Sequence, residues 1–123
     1  MRLSRRRFQL LVERALAEVP EVFRRALENV HVVVEDWPSP DQLASVGLPE
    51  DGLLFGLYEG TPLPQRGVEL PLLPDRITLF QGALEAACTT EEELQQEIRR
   101  TVLHELGHYF GLDEERLEEL GYG

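Results

Sequence analysis

His104-Glu105-Leu106-Gly107-His108 constrains this chain more than any other stretch. Two histidines four residues apart act together only if the backbone between them is helical, because then their rings lie one turn apart on the same side. The flanking residues predict such a helix. Leu94, Ile98, Val102, Leu106 and Phe110 recur every four residues, the spacing of a helix that packs one face on a core. Thr89 with Glu92, or Thr90 with Glu93, forms a capping box at its start, and the acidic Glu91, Glu92 and Glu93 suit the positive end of the helix dipole. Gly111 is well placed to stop it. On a helical wheel, His104 and His108 fall outside the apolar arc, with Thr101 and Glu105 on the same flank and Glu105 at the border with the apolar face. A pair of core histidines would lie within that arc, so these two face a groove beside the helix.

Imidazoles on one helical face reach a single metal ion from the same side, and Glu105 stands beside that ion, where it takes a proton from a bound water. The expected cofactor is one zinc ion per chain, although two His and a carboxylate also hold Fe, Co or Mn. A third protein ligand leaves the fourth position for water. In one arrangement of this motif the third ligand is a Glu about twenty or more residues further along, on a second helix. Only fifteen residues follow His108, which favours the other arrangement. There the helix ends at a Gly three residues after the second His, and a residue three further on meets the metal. Gly111 holds that Gly position and Glu114 the ligand position, with its neighbour Asp113 as the alternative.

Composition narrows the class. A chain of 123 residues with 42% hydrophobic content fits one domain spanning residues 1–123, large enough to bury a core without disulfides. The net charge of −11 argues against nucleic acid as a partner. The charge is uneven: residues 1–30 carry seven Arg against four Glu, and Arg2, Arg5, Arg6 and Arg7 read as the solvated face of a first helix. The single cysteine, Cys88, forms no intrachain disulfide and reads as a small buried hydrophobe in a reducing compartment. All twelve basic residues are Arg and Asn occurs once, a composition that fits heat adaptation. The basic start is not followed by an apolar signal segment, because Glu13, Arg14 and Glu18 interrupt it. With no stretch approaching a membrane span, a cytoplasmic monomer without a membrane partner is expected.

Along the chain, Phe8, Leu11, Val12, Ala15 and Leu16 predict a helix over residues 4–18 with Ser4 as N-cap, and Pro20 opens a second helix over 21–28. The β-branched run from Val30 predicts a strand over 30–35. Residues 36–51, with Pro38, Pro40, Gly47 and Pro49, read as a loop. Further strands are expected over 53–58 and 76–80, separated by a stiff, proline-bearing loop over 59–75. A short helical turn over 84–88, the long helix and a last helix over 113–120 complete the order.

The stretch His-Glu-Leu-Gly-His-Tyr-Phe-Gly-Leu-Asp-Glu, residues 104–114, resembles the extended HExxHxxGxx(H/D) motif of the metzincin side of zinc peptidases. With the Pro-Asp-Arg-Ile-Thr-Leu-Phe strand ahead of the helix, the chain looks like the small bacterial minimal zincin family of zinc metallopeptidases. That resemblance implies an α+β fold, with a small three- to four-stranded sheet packed on a long active-site helix and N-terminal helices. It also implies His104, His108 and Glu114 as metal ligands, Glu105 as general base and Gly111 as the turn. Glu114 departs from the family's usual Asp or His, and the Met-turn of metzincins has no counterpart, since the sole Met is Met1. The implied activity is hydrolysis of a peptide or protein substrate by metal-activated water. The alternative is a metal-stabilised binding or scaffold domain without turnover, although a purely structural site has no use for Glu105. Ile77, Thr78, Leu79 and Phe80 are expected to offer an edge to an extended peptide. Tyr58, Tyr109 and Tyr122 are candidate oxyanion stabilisers, and His31, at the head of an apolar strand, reads as structural.

Overall fold

The computed structural model describes residues 1–60 and 75–119, the side chains of Glu114 and Leu117 excepted. Among the described residues, six helices and three strands follow in the order α1 (Arg5–Ala17), α2 (Glu21–Leu27), β1 (Val30–Glu35), α3 (Pro40–Ser45), β2 (Gly56–Glu59), β3 (Asp75–Phe80), α4 (Gln81–Ala87), α5 (Glu91–Tyr109) and α6 (Glu114–Glu119). This is the α+β architecture expected of a minimal zincin. The region 61–74, most of the expected proline-bearing loop, lies outside the described residues.

Local chemistry accounts for the helix starts. Ser4 accepts from the Arg7 N–H at the head of α1, and Thr90 accepts from the Glu93 N–H at the head of α5. Glu93 also reaches back, to the Thr89 N–H at 3.0 Å, one residue earlier than a standard capping box. Helix α3 was not expected. Ser39 and Gln42 form a reciprocal capping box around Pro40 at the first helical position, so the prolines that suggested a loop in fact start a short helix.

The sheet runs β1-β3-β2, with β1 parallel and β2 antiparallel to β3. Strand β3 is therefore central, and its residues are buried on both faces except Arg76. Ile77 and Leu79 join the main core, while Phe80 packs with Leu57 and Ala83 on the other side. On α5, Leu94, Ile98, Val102 and Leu106 are fully buried, each contributing about 1.5–3 kcal/mol of transfer free energy. They meet Phe8, Leu11, Val12 and Ala15 of α1 in the same cluster. Arg7 pairs with Glu91 and ties α1 to the start of α5, while Arg5 pairs with Asp36 and donates to the Val34 carbonyl. Part of the basic N-terminal face is thus engaged within the chain. Cys88 is buried; burial, with Glu97 and Glu93 nearby, pushes its thiol pKa up and keeps it protonated. No helix among the described residues is long and apolar enough to cross a membrane.

Candidate metal centre

The last two turns of α5 carry the site. His104 and His108 are half-buried and Glu105 is buried, as the wheel requires of residues on and beside the border of an apolar face. The two Nε2 atoms stand 3.3 Å apart, and the rings meet at 68° with centroids 5.1 Å apart. Two nitrogens bound at ~2.0–2.1 Å to a tetrahedral zinc stand about 3.3–3.4 Å from each other. The imidazole pair thus already has the separation that one ion would impose. Glu105 Oε2 lies 3.7 Å from His104 Nε2, so a carboxylate oxygen completes a His-Glu-His group whose donor atoms all fall within 4.8 Å of one another. Among the described residues this is the group that could hold a metal.

Helix α5 ends where the motif requires. Gly111 has φ +80°, its N–H donates to the His108 carbonyl, and the Leu112 N–H donates to the Gly107 carbonyl, both at 2.9 Å. This is a Schellman motif, and it turns the chain directly after the second histidine. Asp113 is exposed, and its Oδ1 accepts from the Arg116 N–H at 2.8 Å. Its carboxylate therefore caps α6 and is not part of the His-Glu-His group. Glu114 opens α6, but its side chain lies outside the described residues.

Strand β2 forms the opposite wall. The Phe80 N–H donates to the Phe55 carbonyl, and the antiparallel register pairs Leu57 with Thr78. Ladder alternation then points the main-chain groups of Gly56 and Tyr58 away from β3. The Tyr58 N–H uses that orientation to donate to Glu105 Oε1 at 2.9 Å. Glu105 thus reaches from β2, through Oε1, to the His104 imidazole, beside Oε2. Beside it, Leu53, Leu54, Phe55, Glu97, Arg100 and Thr101 line a cavity of about 410 Å³ together with His104 and Glu105.

One expectation is overturned. Ile77, Thr78, Leu79 and Phe80 offer no edge, because β3 is paired on both sides; the strand that lines the site is β2. The last four residues of β3, Ile77-Thr78-Leu79-Phe80, carry no charge and are all buried, as befits a strand covered on both faces. Tyr109 is a core residue packed edge-on against Tyr58 at 6.1 Å, and Tyr58 contributes its backbone amide to the site. Tyr122 lies outside the described residues. His31 is exposed on β1, at the far edge of the sheet from β2. Sequence reasoning missed Gly56 and the Tyr58 amide, since main-chain donors leave no signature in a string of side chains.

Residues 27–123 match the family described as zincin-like metallopeptidase. Among solved structures, a conserved hypothetical protein from Thermus thermophilus is 33% identical, with 96% of this chain and 97% of that chain covered and a TM-score of 0.54. No curated protein matches.

Proposed function

The chain belongs to the zincin-like metallopeptidase family, and from that premise we propose that it is a zinc-dependent metallopeptidase that hydrolyses peptide bonds. The observation that carries the reading is the 3.3 Å separation of the two Nε2 atoms beside a carboxylate anchored 2.9 Å from a backbone amide. His104 and His108 hold the metal, with Glu114, three residues beyond the Gly111 turn, as third ligand. A zinc ion held there polarises a carbonyl and brings the pKa of a bound water down to roughly 7.

Glu105 does the proton work. Its carboxylate takes a proton as the water oxygen attacks the peptide carbonyl carbon, then passes that proton to the nitrogen as the C–N bond breaks. The substrate lies extended along β2, the edge strand of the sheet that faces α5, where the main-chain groups of Gly56 point away from β3. Leu53, Leu54 and Phe55 give the flanking side chain an apolar wall. Residues 1–123 act as one domain, a reading supported by the main core that α1, α5 and the sheet share, and the chain acts as a monomer.

The test is a peptide-library digest by the zinc-loaded chain and by Glu105→Gln, with zinc content measured on both. Cleavage by the native chain alone, at about one zinc per chain in each, is the expected result. Equal cleavage by both sinks the peptidase reading. Bound zinc with no cleavage by either favours a metal-stabilised binding domain.

A further inference from the structure

Gly56 and Thr101 lie in contact beside the metal centre, and we infer that together they position Glu105. This rests on the peptidase reading only for its consequence in turnover; the contact itself is independent of it. A Cβ on Gly56 would meet Thr101 Cγ2 at 2.6 Å, the Thr78 carbonyl oxygen at 3.2 Å and Glu105 Cγ at 3.6 Å. Real Cβ atoms do not approach another carbon to 2.6 Å, so only glycine lets the edge strand lie this close to α5.

The geometry explains why the closeness matters. Gly56 and Tyr58 are two residues apart on β2 and share a face, a step of ~6.6–6.8 Å. Thr101 and Glu105 are four residues apart on α5 and share a face, a step of ~6.0 Å. The two steps nearly match, so when Gly56 seats on Thr101 the next outward amide, that of Tyr58, falls on Glu105 Oε1 at 2.9 Å. Thr101 is itself fixed. It is buried, and its hydroxyl donates to the Glu97 carbonyl at 2.8 Å, which leaves the Cγ2 methyl as the surface on which Gly56 sits.

Glu105 therefore does not take its orientation from the helix alone. An outward amide of an edge strand is ordinarily open to solvent; here it holds the carboxylate beside His104. Gly56 and Thr101 act through that bond and are positioning residues. Lifting β2 by the width of one methyl group breaks the bond while leaving both imidazoles in place on α5.

Hydrogen exchange at the Tyr58 amide tests this in the metal-free chain, with no substrate present. The amide should be protected in the native chain and lose at least about tenfold in protection in Glu105→Ala and in Gly56→Ala, the factor that a hydrogen bond to a charged acceptor supports. Adding Thr101→Ser to Gly56→Ala removes the obstructing methyl and keeps the hydroxyl, so protection should return. Protection of the Phe80 amide reports the integrity of the sheet and should stay constant throughout. With zinc loaded, kcat should follow Tyr58 protection across the same four chains at unchanged zinc content.

Fast exchange at Tyr58 in the native chain overturns the inference, as does protection that survives Glu105→Ala. Failure of Thr101→Ser to restore what Gly56→Ala removed also overturns it. If Gly56→Ala alone does not fold, the double variant must fold and show protection, and the Glu105→Ala measurement still decides whether the bond exists. A protected Tyr58 in a chain that cleaves nothing refutes the peptidase reading and leaves the positioning contact standing.

Discussion

Replacing Gly111 with Ala asks one backbone angle to account for the shape of the metal centre. Gly111 sits at φ +80°, in a region where an L-residue costs roughly 1–2 kcal/mol more than glycine. If Ala accepts that conformation, the chain loses this amount of stability. If it refuses, the two bonds that close the helix, Gly111 N–H to His108 and Leu112 N–H to Gly107, each 2.9 Å, are lost at about 0.5–1.5 kcal/mol apiece. Both routes converge on a loss of about 1–3 kcal/mol. For a chain of this size each kcal/mol shifts Tm by roughly 3–6 °C, so calorimetry should find Gly111→Ala melting roughly 3–18 °C below the native protein. Asn enters the left-handed region more readily than Ala, so Gly111→Asn should recover part of that loss. Zinc titration adds a second readout, because the turn also aims the residues that follow His108. An Ala variant as stable as the native chain, or an Asn variant no better than Ala, would refute the argument.

Two further outcomes follow from the same structure. Glu114→Ala should weaken zinc binding measured by competition with a chelator, whereas Asp113→Ala should cost helix-cap stability of ~0.5–2 kcal/mol and leave zinc affinity nearly unchanged; the reverse order would make Asp113 the ligand. The side-chain hydrogen bond and charge of Arg7 hold Glu91 below the ordinary carboxylate value of 4.5. A carboxyl group whose pKa is depressed on folding stabilises above its unfolded pKa and loses that contribution as pH falls through the folded value. The stability gap between the native chain and Arg7→Gln should therefore be constant at neutral pH and shrink below about 4.5; a gap that widens in acid would contradict the pairing.

Much of this was legible in the residues. The period of Leu94, Ile98, Val102 and Leu106 predicted α5 and its buried face, because helix periodicity is local and long enough to read. Gly111 announced the turn for the same reason. Helix α3 was hidden by Pro38 and Pro40, whose effect depends on whether a cap such as Ser39 precedes them. The strand expected over 53–58 is found at Gly56–Glu59, the residues held in antiparallel register with β3.

Residue chemistry and spacing alone determined that two imidazoles and a carboxylate share one helical flank. Tertiary structure decided what stands across from them. Strand order depends on pairings between residues far apart in the chain, so nothing local in Ile77-Thr78-Leu79-Phe80 says which neighbour each edge will meet. The same holds for the Tyr58 amide, whose bond to Glu105 crosses 47 positions of sequence. It exists only because a glycine without a side chain lets one strand settle against one helix.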